Sequence, residues 1–280
     1  MAPIGPNGEA VIDLLVSDAV AAGFGQIVLV LHPESGPAIR YHVERCWPRS
    51  LDVAFAEQPL PLGTVHAVLA ARDDLGTDRP FAVSNADDVY GEAAMGQLVD
   101  QLSSGRGEHV LVGYQLAATV ATDDPVTRGI CEVDERGYLV ALTERRQVVR
   151  HDHGKTFTSE AGVEPVTLDG ESPTSVNLWG FHPAIWEVLE SAMDASGIDV
   201  EAIAASVVAG GEVPKAEVLL PEVVAAMVTG GGGLPVRVVN TDAKLLGVTH
   251  LADLPLVSAE LARQVAWGTR PSQQWGDTAW

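Results

Sequence analysis

Two short stretches decide the fold of this chain: EQPLPLGTVHA at residues 57–67 and NADDVYG at residues 85–91. The first places a Leu-Gly-Thr turn before a helix start, where backbone N–H groups can face a base or a phosphate. The second places acidic residues directly after an apolar strand, at the strand end where open α/β sheets bind ligands. Together they predict a nucleotide pocket beside a metal site.

Working outward from these stretches, apolar strands alternate with amphipathic helices over the first 118 residues. This alternation predicts βαβ units and a doubly wound sheet of the α/β class, similar to a Rossmann-type nucleotide-binding fold. The predicted helices cover residues 11–22, 36–43, 65–72 and 91–102, and the predicted strands cover 26–31, 51–56, 80–84 and 109–115.

After about residue 118 the alternation of strands and helices gives way to a series of short predicted strands, which indicates a small β-rich portion. The turn at 134–137 predicts a hairpin, and the polar, Gly-rich residues 151–173 predict a loop. We therefore expect one domain over residues 1–268, with halves 1–118 and 119–268, followed by a loosely ordered tail at 269–280. The other predicted elements are strands at 129–133, 138–142, 145–150, 172–181 and 236–240 and helices at 183–193 and 219–228.

Composition excludes several classes of partner. The formal net charge of −21 argues against nucleic acid or an anionic membrane as the main partner. The sequence has no apolar run of 18 residues and no signal-peptide pattern, which favours a cytoplasmic location without a membrane span. Cys46 and Cys131 are too few for a disulfide framework. The sequence does not determine the oligomeric state, and a homodimer is compatible with it.

Seven segments, in their order and spacing, resemble the sugar-1-phosphate nucleotidyltransferases, also called nucleoside-diphosphate-sugar pyrophosphorylases. The resemblance extends from Pro3 to about Pro255. The matching segments are PIGPNGE (3–9), LGTVHA (62–67), NADDVYG (85–91), RGI (128–130), LTER (142–145), SVNLWGF (175–181) and LLPEVV (219–224).

The resemblance implies transfer of a nucleotidyl group from a nucleoside triphosphate to a sugar 1-phosphate, with Mg²⁺ as cofactor. Such a reaction needs positioning and charge neutralisation more than a protein nucleophile. Members of the family usually begin with a strand and a Gly-rich phosphate loop, and residues 3–9 resemble the segment just after that loop. This sequence does not include that phosphate loop. Three explanations for its absence are a misassigned start codon, a truncated chain, or a protein that has lost catalysis.

The resemblance assigns the metal and a catalytic role to Asp87, at the end of the predicted strand 80–84. Its neighbour Asp88 is the alternative ligand, and helix capping is the structural alternative for the pair. The family's second metal ligand would lie near residues 247–250, where Thr249, His250 and Asp253 are the candidates. Water and phosphate oxygens could complete a Mg²⁺ site with a single protein ligand.

Gln58, Gly63 and Thr64 resemble the family's nucleotide-binding positions. A Gln amide can donate and accept, which suits a pyrimidine edge. The Gln-to-Gly spacing and the Gly-Thr-x-His-Ala turn resemble those of uridylyltransferases, so UTP is favoured while thymidine and cytidine nucleotides stay open. The structural alternative is a plain turn in which Thr64 caps the helix. His66 is interpreted as a packing or solvent-facing residue.

Gly129, Glu144 and Asn177 resemble the sugar-binding positions, and Arg145 is the predicted catalytic cation for phosphate. The alternatives are a solvated strand residue for Glu144 and a turn former for Asn177. Trp179 and Phe181 are predicted to lie in the core.

Two other functions compete with this one. A binding or regulatory module would hold nucleotide or sugar phosphate without turnover. A dinucleotide-dependent oxidoreductase ranks last, because no G-x-G-x-x-G follows a first strand.

Overall fold

A computed structural model describes residues 3–120, 124–152, 155–212, 215–247 and 253–275 of the chain. The helices are α1 (Val11–Ala22), α2 (Gly36–Cys46), α3 (Thr64–Ala70), α4 (Arg72–Leu75), α5 (Glu92–Ser103), α6 (Leu116–Thr119), α7 (Ile185–Ala195), α8 (Val200–Val208), α9 (Leu220–Thr229) and α10 (Leu254–Ala266). The strands are β1 (Ile27–Leu31), β2 (Val53–Glu57), β3 (Phe81–Val83), β4 (Asp88–Val89), β5 (His109–Gln115), β6 (Val126–Val133), β7 (Leu139–His151), β8 (Thr156–Thr158), β9 (Thr167–Asp169), β10 (Pro173–Phe181), β11 (Val236–Thr241) and β12 (Leu246–Gly247).

The main sheet is mixed and is organised around β10. Its hydrogen-bonded order is β11-β5-β10-β6-β7-β8-β9, and β3 pairs with β10 as well. Both β3 and β5 run antiparallel to β10, so they are parallel to each other, and β11 is parallel to β5. The carboxyl ends of β3, β5 and β11 therefore lie at the same edge of the sheet. The α/β fold class predicted from the sequence is confirmed.

Two smaller ladders lie beside the main sheet. β1 and β2 pair in parallel, with Ile27 opposite Val53, and Gln58 N–H donates to Leu31 O at 2.9 Å to continue the ladder. β4 pairs antiparallel with β12, with Asp88 opposite Gly247. The sheet that the sequence predicted as continuous is thus divided into hydrogen-bonded groups in the described residues.

The core lies on both faces of β5 and β10, because successive side chains of a strand point to opposite faces. Leu111, Trp179 and Phe181 pack on one face with the helices α3, α7 and α9. Val110 and Leu178 pack on the other face with α1 and α5. Trp179 and Phe181 are fully buried, so their predicted place in the core is confirmed.

Several elements differ from the sequence-based expectation. Residues 151–173 contain β8 and β9 rather than only loop. The two predicted strands at 138–142 and 145–150 form one long strand, β7. Helices α8 and α10 were not predicted. In the described part of the chain, no helix is long and apolar enough to cross a membrane.

The segment after α10 packs against the N-terminal helices. Arg270 forms two hydrogen bonds of 2.8 and 2.7 Å with the Asp18 carboxylate, and both side chains are buried. Ser17 Oγ donates to Gln274 O, and the Trp275 ring lies 5.7 Å from the Trp47 ring. The part of the predicted tail that the structure describes, 269–275, is therefore docked on α1 and on the end of α2.

Candidate active site

The predicted nucleotide-binding residues lie around the turn between β2 and α3. Gly63 has a φ of +94°, and an added Cβ would lie 2.6 Å from Val218 N, so only glycine fits this close approach. Val218 N–H donates to Leu62 O, and Val65 N–H donates to Val218 O. The segment before α9 therefore holds the turn in place.

Thr64 does not cap its own helix. Gly63 is the N-cap of α3, and Thr64 Oγ1 accepts a hydrogen bond of 2.7 Å from Leu220 N–H. The hydroxyl thus ties the start of α3 to the start of α9. The hydroxyl keeps its own hydrogen for donation, and the Thr64 backbone stays at the start of α3.

Gln58 is the first residue after β2, and its side chain is half-buried. Its Nε2 lies 3.0 Å from Gly63 O and 3.2 Å from His66 Nδ1. His66 Nδ1 also lies 3.2 Å from Leu60 O. His66, interpreted from the sequence as packing or solvent-facing, contacts the predicted base-recognition residue directly.

The acidic pair follows β3 at the sheet edge described above. Asp87 is exposed, and its side chain has no hydrogen-bond partner in the described part of the chain. Asp88 is half-buried and accepts a hydrogen bond from Asn85 Nδ2 at 3.0 Å. Burial raises the pKa of Asp88, the Asp87 charge adds to the rise, and Asn85 and Arg128 offset part of it. Asp87 is the freer of the two carboxylates.

A buried tyrosine connects the acidic pair to β10. Tyr90 OH donates to Val176 O at 2.8 Å and accepts from Asn85 N–H at 3.1 Å. Val176 precedes Asn177, which lies in the irregular stretch of β10 between Ser175 and Trp179 and has a φ of +62°. The acidic pair and Asn177 are therefore brought to one region through Tyr90, a residue to which the sequence analysis gave no role.

The predicted sugar-binding residues lie on three adjacent strands. Gly129 of β6 pairs with Glu144 of β7 on one side and with Ser175 of β10 on the other. Glu144 is exposed, and a Cβ at Gly129 would lie 3.0 Å from Leu142 Cδ1. Gly129, Glu144 and Asn177 thus lie within a few residues of each other across the sheet.

Arg145 is placed differently from its neighbour Glu144. Its side chain is 3% exposed. Its guanidinium donates to Ser159 Oγ and to the backbone oxygens of Val163, Glu164 and Pro165. We call residues 159–165 the clamped loop. Direct contact of Arg145 with phosphate stays a prediction, and in this conformation the side chain secures the clamped loop.

Arg128 is a cation whose charge lowers the pKa of Asp88, although the two side chains form no direct ion pair. Its terminal nitrogens donate to Thr119 O and Thr127 O, and its Nε is buried without a partner in the described residues. The sequence analysis quoted Arg128 within the RGI segment but gave it no role, because a single Arg at a strand carries no positional signal.

The acidic pair meets the chemical requirements of Mg²⁺, which prefers oxygen ligands and often takes only one or two carboxylates. Asp87 offers a free carboxylate. A Cβ at Gly247 would lie 2.5 Å from Asp88 Oδ1, so the Gly247 backbone comes close to that carboxylate. Thr249 and His250 lie outside the described residues, and Asp253 is the N-cap of α10. No group of three His, Cys, Asp or Glu side chains is gathered for a metal within the described ranges.

Comparison with known proteins agrees with this geometry. The sequence model of one family, described as "Nucleotidyl transferase", matches residues 3–147, which include the Gly63 turn, the acidic pair and most of the β6–β7 hairpin. A search of curated proteins gave no match. Since the family match covers more than half of the chain, the protein belongs to the nucleotidyl transferase family.

Proposed function

We propose that this protein transfers a nucleotidyl group from a nucleoside triphosphate, with UTP favoured, to a sugar 1-phosphate, giving a nucleoside-diphosphate sugar and pyrophosphate. Besides the family membership, one structural observation supports this proposal. The free carboxylate of Asp87 lies at the carboxyl end of β3, and the Tyr90–Val176 hydrogen bond places that strand end beside Asn177. A carboxylate predicted to bind the metal and a residue predicted to bind the sugar therefore share one region.

In this proposal the turn around Gly63 takes the base, with Gln58 and the backbone of Thr64 as its contacts. Gly129, Glu144 and Asn177 bind the sugar, Gly129 through its backbone. Mg²⁺ bound by Asp87, with Asp88 beside it, would neutralise charge on the reacting phosphates. Arg128 supplies positive charge facing Asp88. Arg145 acts through the clamped loop that it secures next to Glu144.

The reaction needs no protein nucleophile. A phosphate oxygen of the sugar 1-phosphate attacks the α-phosphorus of the triphosphate, and the bond from that phosphorus to the bridging oxygen breaks as pyrophosphate leaves. The protein contributes by holding the two phosphates in line and by opposing their charge. The global charge of −21 makes local cations and backbone N–H groups necessary for binding any anionic substrate.

The test is a panel of UTP, dTTP, CTP, ATP and GTP with several sugar 1-phosphates and Mg²⁺. Pyrophosphate release is followed by an assay coupled to inorganic pyrophosphatase, and nucleotide binding is followed by calorimetry. We expect pyrophosphate only when both substrates are present. We expect Asp87→Asn to lower the rate by about 100-fold, since one group that stabilises transition-state charge contributes about that much. Asp100→Asn, at an exposed position on α5, is the matched control and should leave the rate unchanged.

The outcomes separate the two candidate functions. Release of pyrophosphate that depends on the sugar phosphate supports the transferase. Nucleotide binding that Gln58→Ala weakens, without release of pyrophosphate, would instead support a binding module. Absence of nucleotide binding would overturn both.

A further inference from the structure

The contacts of the Gln58 amide determine which of its two ends faces a ligand. A carbonyl oxygen can only accept a hydrogen bond, so the amide atom 3.0 Å from Gly63 O must be the nitrogen. The same nitrogen lies 3.2 Å from His66 Nδ1, which accepts its second hydrogen in the tautomer that carries no proton on Nδ1. In that tautomer both amide hydrogens are used within the protein.

This arrangement leaves Gln58 Oε1 as the free end of the amide. No residue in the described part of the chain forms a hydrogen bond with that oxygen. An amide that rotated by half a turn would place Oε1 against Gly63 O and against the lone pair of His66. Both contacts would be repulsive, so the acceptor end is held outward.

His66 can accept from Gln58 only when its Nδ1 carries no proton. Burial lowers the pKa of His66, with the carbonyl of Leu60 opposing the shift, which favours the neutral ring. In the tautomer that accepts from Gln58, the ring proton resides on Nε2. The alternative tautomer would donate from Nδ1 to Leu60 O, also at 3.2 Å, and would release Gln58.

A donor lies beside this acceptor. The Gly63 N–H has no hydrogen-bond partner among the described residues. The left-handed backbone of Gly63 and its contact with Val218 hold that N–H in a set direction. The turn therefore presents one acceptor, Gln58 Oε1, and one donor, Gly63 N–H.

We propose that His66 is a positioning residue that fixes the Gln58 amide with its oxygen outward, so that the site selects uracil or thymine over cytosine. Uracil and thymine present an N3–H donor next to an O4 acceptor, which complements this pair. Cytosine presents an N3 acceptor next to an N4 amino donor, the reverse pattern. This inference rests on the proposed function, because it requires the base to lie at the Gly63 turn.

The first test measures the state of the ring directly. Nitrogen chemical shifts of ¹⁵N-histidine-labelled protein, assigned by loss of the signal in His66→Asn, show which ring nitrogen bears the proton. An unprotonated Nδ1 at neutral pH is the expected result. A proton on Nδ1 would overturn the proposal whatever the protein binds.

The second test measures selectivity. We expect the wild-type protein to bind UTP and dTTP at least about tenfold more tightly than CTP, because a reversed pattern leaves buried polar groups unpaired. His66→Leu should bring the UTP and CTP affinities close together. His66→Asn, whose side-chain oxygen can still accept from Gln58, should retain a preference for UTP. His182→Leu, at the opposite sheet edge after β10, is the matched control and should behave as wild type.

The outcomes distinguish this inference from the proposed function. Equal affinity of the wild type for UTP and CTP, with both weakened by Gln58→Ala, overturns the role of His66 and leaves nucleotide binding at the turn intact. An unchanged UTP preference in a folded His66→Leu variant also overturns it. Lack of binding of any triphosphate removes the proposed function itself, and this inference with it.

Discussion

The ion pair between Asp18 of α1 and Arg270 gives the most stringent test of how the C-terminal segment is held. The two side chains are only 5% and 4% exposed and form two hydrogen bonds. Replacing Asp18 by Asn leaves the Arg270 charge buried without its counter-charge. Removing one partner of a buried pair costs about 3 to 5 kcal/mol, whereas exposed pairs contribute about 1 kcal/mol or less.

This energy converts into a measurable melting shift. An unfolding entropy of about 2.1 cal/mol/K per residue gives about 0.6 kcal/mol/K for a chain of 280 residues. We therefore expect Asp18→Asn to lower the melting temperature by about 5 to 8 °C in differential scanning calorimetry. Arg136→Gln, which removes an exposed partner of Asp134, is the control and should leave the melting temperature unchanged.

A double-mutant cycle decides whether the loss comes from the pair. Asp18→Leu combined with Arg270→Met removes both charges. The double variant should recover most of the stability that Asp18→Leu or Arg270→Met loses alone. Limited proteolysis should cut after α10 in Asp18→Asn and not in the double variant. A single variant that melts like the Arg136→Gln control would refute the docking of this segment on α1.

Three further predictions concern the site and the core. Gly63→Ala should weaken UTP binding and destabilise the protein by about 1 to 3 kcal/mol in urea titration, while Gly76→Ala, with positive φ and no such backbone contact, should leave UTP binding unchanged. Burial lowers the pKa of His109 to about 4, below its unfolded value of 6.5. Stability should therefore be full above pH 6.5 and fall by about 3 kcal/mol as the pH drops to 4, and His109→Gln should flatten this dependence in urea titrations at several pH values. Arg145→Gln leaves the carbonyls of the clamped loop without donors, so proteolysis there, located by mass spectrometry, should be faster than in the exposed control Arg146→Gln.

Much of the first half of the fold could be predicted from local pattern. The eight helices and strands predicted before residue 118 are all present, and Gly63 directly precedes α3 as the predicted Leu-Gly-Thr turn required. The acidic pair follows β3 as expected. These features depend on apolar periodicity and on turn chemistry within a few residues, which a single sequence displays directly.

The elements that were missed have a common cause. β8 and β9 have three residues each and lie in a polar stretch whose sequence resembles a loop. In the structure, β8 pairs with the edge of β7, and the Arg145 side chain holds the loop between β8 and β9. Helix α8 has no buried residue, so it lacks the apolar stripe with one buried face that reveals most helices. Short range patterns carry too little signal for such elements.

The sequence-based predictions and the structure differ most in the roles of individual polar side chains. The sequence analysis predicted Arg145 as the phosphate cation and gave Arg128 no role, yet the Arg145 side chain secures the clamped loop and the charge of Arg128 acts on Asp88. Thr64 has the sequence context of a helix cap, yet its hydroxyl accepts from Leu220, 156 residues further along the chain.

The sequence by itself determined the α/β class, the positions of the buried strands, the glycine turn and the strand-end carboxylates, because each of these is set by neighbours in the chain. Only the tertiary structure decided that His66 holds the Gln58 amide, that Tyr90 joins the acidic pair to β10, and that Arg270 pairs with Asp18. The physical reason is that a polar side chain bonds to whichever partner packing brings within about 3 Å. For Arg270 that partner is 252 residues away.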